Sequence, residues 1–171
     1  TYRGASTHYE FADFDFSNLG ADWLYLSSMS GKMDTVSQIL SEAKQCGMKV
    51  MFNPGKDELR QADKLRSLLE DVDVLSVNRE EMQLIVEGES SEELVRHGLN
   101  LVPTVIVSDG PKGVTASDGQ VIVQAGMYED VRVVDRTGAG DAFGSGFLSQ
   151  WCQGKPLKDA IVFASANSTS V

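Results

Sequence analysis

Only two cysteines and two histidines occur among the 171 residues, and neither type clusters. Cys46 and Cys152 lack C-x-x-C spacing and a companion histidine group, which argues against a disulfide framework or a zinc site and predicts buried or half-buried thiols in a reducing compartment. Nothing in the sequence pairs His8 or His97 with a nucleophile or a metal. Positive charge is also scarce: 15 Lys and Arg stand against 25 Asp and Glu, a formal net charge of −10. That balance argues against general binding to nucleic acid or to an anionic membrane, while leaving room for a local electropositive site. No stretch approaches the ~20 apolar residues of a membrane span, and no charged-then-apolar leader opens the chain. The expectation is a cytoplasmic protein that contacts neither nucleic acid nor membrane. The chain starts at Thr1, and its final run "DAIVFASANSTSV" carries no glycine or proline brake, so both ends read as cut from a longer protein.

What is present suits a globular core. Apolar residues make up 42% and charged residues 23% of the chain, far from a disordered composition, and residues 1–171 read as a single domain. The pattern alternates. "DWLYLSS" is strand-length, and in "KMDTVSQILSEAKQCG" Met33, Val36, Ile39, Leu40 and Ala43 fall at helical spacing before Gly47. "KVMFNP" and "DVLSVN" read as strands around a helix "DELRQADKLRSLLEDV". "REEMQLIVEG" and "SSEELVRHG" read as helices, and "TVIVSDG" as a strand. This rhythm implies βαβ units and a mostly parallel sheet with helices on both faces, an α/β fold incomplete at both ends. "GVTASDGQVIVQAG" signals a hairpin around Asp118-Gly119, "VRVVD" a further strand, and Ala139 to Gln153 and "PLKDAIVFASANS" two helices, the second with Pro156 near its start.

"VVDRTGAGDAFGSGFL" places Thr137-Gly138-Ala139-Gly140-Asp141 between a strand and a helix. Small residues at a helix start leave backbone N–H groups pointing outward, where the helix dipole favours an anion. Three readings compete. Asp141 is a helix cap in a tight turn; or Gly138, Gly140 and Gly144 form a variant dinucleotide fingerprint; or Asp141 is a base beside an anion hole, taking a hydroxyl proton while the N–H groups hold a transferring phosphoryl group. The second is weakened because the acidic strand end expected ~20 residues on falls in "LKDAIVFASA", which reads as helix. A P-loop is excluded, since Gly154-Lys155 is followed by proline. Asn53 in "FNPG" ends a strand on the ligand-bearing edge, and Asn-Pro-Gly is also good turn chemistry.

"DRTGAGDAFGSGFL", "NREE" and "VIVSDGPKGV", in that order, resemble the C-terminal signature, the N-x-x-E motif and the T-x-G-x-x-G loop of ribokinase-like, or PfkB-type, carbohydrate kinases. The resemblance covers the middle and C-terminal portion of that family. It implies a truncated ribokinase-like core lacking the front substrate and lid portion and the final segment. The implied activity is ATP-dependent phosphoryl transfer to a hydroxyl of a sugar or sugar-like substrate, with a fragment inactive alone and prone to self-association. Asp141 would be the catalytic base and Gly138, Ala139 and Gly140 the anion hole. Asn78, Ser108, Gly110, Gly113, Ser165 and Asn167 would contact nucleotide, with serine at 108 where threonine is common. Glu81 would hold Mg²⁺ through water, and Asp135 and Thr137 would belong to a monovalent-cation (K⁺) site. Arg136 departs from the usual threonine or proline. The alternatives are a nucleoside kinase of the same fold, a nicotinamide-dependent oxidoreductase fragment, or a non-catalytic nucleotide-binding domain.

Overall fold

Strands that are apolar on both sides need cover on both sides, and the parallel strands of this protein receive it. The computed structural model describes residues 8–16, 19–126 and 138–170. In it β1 (Trp23–Leu26), β2 (Lys49–Phe52), β3 (Val74–Asn78) and β4 (Thr104–Ser108) run parallel. They are connected by α1 (Met33–Gln45), by α2 (Lys56–Leu59) with α3 (Ala62–Leu68), and by α4 (Arg79–Ile85) with α5 (Ser91–Gly98). β5 (Val114–Ser117) and β6 (Ile122–Ala125) complete the sheet antiparallel beside β4, in the order β1-β2-β3-β4-β5-β6. α6 (Ala139–Trp151) and α7 (Leu157–Thr169) follow.

Alternation along the strands sorts the core into two layers. Val50, Phe52, Leu75, Val77, Val105 and Val107 pack with Val36, Ile39 and Leu40 of α1, Leu65 of α3, Met82 and Ile85 of α4 and Leu94 of α5. Met51, Val74 and Ile106 point the other way, onto Phe147 of α6 and Ala160, Ile161 and Ala164 of α7. The sheet is therefore flanked by helices on both faces, as the alternation predicts.

Three details differ from the sequence reading. The stretch expected as one helix over 57–72 is split: α2 ends before Arg60, and α3 is followed by a 3₁₀ turn at Leu69–Asp71. The buried leucines explain the break. Leu65 and Leu69 share a helical face, but Leu59 lies six residues before Leu65, off that face for a continuous helix, and Gln61 (φ −109°, ψ 44°) resets the register. The hairpin is present, with a four-residue loop between Ser117 and Ile122 in place of a two-residue turn; the Asp118 carboxylate accepts the Gln120 and Val121 N–H groups, each at 3.0 Å. Cys46 and Cys152 are both exposed free thiols rather than buried ones. The strand expected at "VRVVD" lies outside the described residues.

Candidate active site

In an open α/β sheet, ligands bind beyond the carboxyl ends of the strands. Two candidate residues meet there: Asn78 ends β3, Ser108 ends β4, and the two are register partners. Asn78 also caps α4. Its side-chain oxygen accepts the Glu81 N–H at 2.8 Å, and the Glu81 carboxylate accepts the Asn78 N–H at 2.9 Å, a reciprocal capping box. The N-x-x-E spacing thus has a local structural use, and it leaves the Asn78 amide N–H₂ and one Glu81 oxygen available.

After Ser108 the chain makes a 3₁₀ turn, Gly110–Lys112, closed at both ends by glycines in the left-handed region, Gly110 at φ 50° and Gly113 at φ 88°. Gly113 has a second reason to lack a side chain, since a Cβ there would sit 1.9 Å from the Ala125 carbonyl oxygen of β6. Between the turn and β3, Asp109 lies 4.0 Å from Arg79 and 3.5 Å from Lys112. A groove of about 620 Å³ lined by these residues, Gly113 and Gln124 runs toward the start of α5.

The start of α6 is built differently from those of α4 and α5. Gly138 is the N-cap, at φ 85°, and no side chain accepts a bond there, whereas Asn78 and Ser90 cap the other two helices with side-chain oxygens. The first intrahelical bond runs from the Ala142 N–H to the Gly138 carbonyl at 2.8 Å, which leaves the N–H groups of the first turn free of helical partners. Asp141 and Gly140 are exposed, and among the described residues outside its own helix a Cβ on Gly140 would meet nothing within 4 Å. The turn can accept an anion at its backbone while presenting a carboxylate beside it.

The end of α7 holds this turn. Asn167 donates its side-chain N–H to the Ala142 carbonyl at 2.7 Å, and Ser168 donates its hydroxyl to the Ala139 carbonyl at 2.9 Å. Asn167 is thus committed in part to the α6 backbone, while the Ser165 hydroxyl returns to the Ile161 carbonyl of its own helix. Asp135 and Thr137 lie outside the described residues.

Sequence reasoning missed three contributors. Ser168 is one. Glu58 is fully buried, and its carboxylate accepts from the Ser28 hydroxyl and the N–H groups of Met29, Gly31 and Gly55 at 2.7–2.9 Å. It ties the loop after β1 to the loop after β2, where Asn53 donates to the Ser76 carbonyl of β3 at 2.6 Å. Tyr25 of β1 is the third. Its hydroxyl is buried without a hydrogen-bond partner among the described residues, so close to Gly144 that a Cβ there would stand 2.2 Å from the oxygen. Burial, with a smaller contribution from the Asp141 charge, pushes the phenol up to about 12.

Mg²⁺ carried with a nucleotide keeps most of its ligands as water and phosphate oxygen. One free Glu81 oxygen beside the Asn78 amide fits that role, and among the described residues no group of three acidic, His or Cys side chains forms a dedicated cage. No helix among them is long and apolar enough to cross a membrane.

Known proteins resemble this chain in sequence and in fold. The chain is 31% identical over 147 residues to an ATP-dependent ribose-1-phosphate kinase of Halopiger xanaduensis, covering 85% of this chain and 47% of that protein. It is 30% identical over 129 residues to a cytidine kinase of Thermococcus kodakarensis, covering 72% and 46%. A structure from E. coli, provisionally assigned as Ribokinase II and solved with ATP and Mg²⁺, superposes with a TM-score of 0.75 at 25% identity, over 86% of this chain and 51% of that one. The chain thus spans about half the length of the relatives it matches. The family model for pfkB family carbohydrate kinases matches residues 1–171, and the chain belongs to that family.

Proposed function

We propose that this chain carries the base and the phosphate-binding turn of an ATP-dependent kinase that phosphorylates a hydroxyl of a sugar or sugar-like substrate. The observation that carries the reading is the start of α6, where uncapped N–H groups and the exposed Asp141 carboxylate share one turn. Family membership supports it and removes the nicotinamide-dependent alternative.

Asp141 accepts the proton of the attacking hydroxyl, and the N–H groups of Gly138, Ala139 and Gly140 bind the charge of the transferring phosphoryl oxygens. Asn78, Ser108, Gly110 and Gly113 line the strand ends along which the nucleotide phosphates run, and Glu81 holds Mg²⁺ through water. Bound with the nucleotide, Mg²⁺ offsets phosphate charge. The work left to the protein is placement of the acceptor hydroxyl. Asn167 and Ser168 contribute to it by fixing the turn that carries Asp141. A nucleoside acceptor is the second reading, favoured by the cytidine kinase among the relatives.

The test uses the protein as its gene encodes it, with sugars, sugar phosphates and nucleosides offered in turn as acceptors. Asp141→Asn is expected to lower turnover by about 10²–10⁴-fold while ATP-analogue affinity by calorimetry changes little. A Cβ at Gly140 has no neighbour within 4 Å outside its own helix among the described residues, so Gly140→Val should weaken binding of the analogue's phosphates in a protein that folds normally by circular dichroism. A folded Asp141→Asn variant with parental turnover would leave Asp141 an ordinary first-turn acid of α6 and overturn the assignment.

A further inference from the structure

Each N–H at the start of α6 is one half of a planar peptide group whose other half is the carbonyl of the residue before it. Where that carbonyl is held, the N–H is aimed. The Gly138 carbonyl accepts the Ala142 N–H at 2.8 Å, so an ordinary helical bond fixes the peptide that carries the Ala139 N–H. The Ala139 carbonyl accepts the Ser168 hydroxyl at 2.9 Å, so the peptide that carries the Gly140 N–H is fixed from another helix, 29 residues further along the chain. That peptide has little else to hold it from the side. Gly140 is exposed and has no side chain, and Gly138 stands at φ 85°. Glycine on both sides of Ala139 leaves the backbone free to rock, and the first N–H groups of a helix have no helical partners to steady them.

The Ser168 bond is selective. The hydroxyls of Ser165, Thr169 and Ser170 all return to carbonyls of α7, at Ile161, Ser165 and Asn167, whereas Ser168 reaches across to α6. Asn167 crosses too, but the Ala142 carbonyl that it meets shares its peptide with the Phe143 N–H, beyond the three N–H groups assigned to the phosphate. A hydroxyl that donates to a peptide carbonyl also polarises the peptide, which makes the N–H on its far side the stronger donor.

We propose that Ser168 is a positioning residue for the transferring phosphoryl group: through the Ala139 carbonyl it fixes and polarises the Gly140 N–H, and so gives the turn its grip on the terminal phosphate of ATP. This rests on the start of α6 being the phosphate-binding turn. Ser168 acts through the peptide and touches no phosphate.

Ser168→Ala and Ser168→Thr, made in the protein as its gene encodes it, remove and keep the hydroxyl. Calorimetry compares a non-hydrolysable ATP analogue, which carries the terminal phosphate, with ADP, which lacks it. In the alanine variant the analogue is expected to bind about three- to tenfold more weakly while ADP binds as in the parent, and kcat should fall with the KM of the acceptor unchanged. The threonine variant should restore the analogue's affinity. A merely structural bond would lower the melting temperature and leave the preference for the analogue over ADP at its parental value. That result, in a protein where Gly140→Val does weaken the analogue, would overturn this inference alone. Equal losses in the alanine and threonine variants would trace the effect to packing and overturn it as well. A folded Gly140→Val variant that binds the analogue as the parent does would overturn the phosphate-turn reading and this inference with it.

Discussion

At the scale of single residues, Glu58 shows how much depends on one buried group. Its Oε1 accepts N–H groups from both Met29 and Gly31, which flank Ser30, a non-glycine residue at φ 57°. That conformation costs about 1–2 kcal/mol for an L-residue, and the two bonds help to hold it. Glu58→Gln sets an N–H₂ group against N–H donors at one of the two oxygen positions. Stability is expected to fall by about 2–4 kcal/mol, with faster amide exchange at Met29 and Gly31 while the sheet stays protected. An unchanged melting temperature and unchanged exchange would show that the loop after β1 stands without the carboxylate. Nothing in "KDELRQ" foretells this role, because a glutamate in an amphipathic stretch reads as solvent-facing, and its partners Ser28, Met29 and Gly31 lie some thirty residues earlier. Tyr25 is hidden for the same reason: its meaning comes from Gly144, far along the chain.

At the scale of elements, the sequence showed most where one periodicity served one purpose. β2 to β4 are apolar on both faces, so their runs stood out, and the glycine-rich start of α6 was readable because its residues are costly in any other setting. The split of the 57–72 helix was legible only in the six-residue step from Leu59 to Leu65. The joining of α6 to α7 was not legible, because small residues such as Gly146, Ala164 and Ser168 carry no periodic signal. In the structure a Cβ on Gly146 would stand 3.0 Å from the Asn167 Cβ and 3.3 Å from the Ala164 Cα, so the helices touch through their backbones. Gly146→Leu is expected to cost about 3 kcal/mol by overpacking and to break the Asn167–Ala142 and Ser168–Ala139 bonds. Asn167→Ala should cost about 1 kcal/mol. Thermal unfolding of both variants checks the ordering, and equal losses would mean that the side-chain bonds, not the close approach, hold the pair.

At the scale of the whole molecule, two surfaces invite association. Among the described residues no strand pairs with the other edge of β1, and Val162 and Phe163 of α7 are each 46% exposed. Open edges and apolar patches seek partners, while the net charge of −10 opposes contact between copies. The 171-residue chain is expected to self-associate, and more so at high salt, where repulsion is screened. Sedimentation giving a monomer at both low and high salt would refute this. The strand order carries a further consequence. Because spatial order follows chain order among the described strands, each strand after β1 that emerges from a ribosome finds its partner already made, so pairing can advance one strand at a time with short loop closures. The face bearing Met51, Val74 and Ile106 is the exception. It waits, wet and apolar, for two helices translated after every strand of that sheet, so a nascent chain is most exposed to chaperones and to misassembly just before α6 arrives.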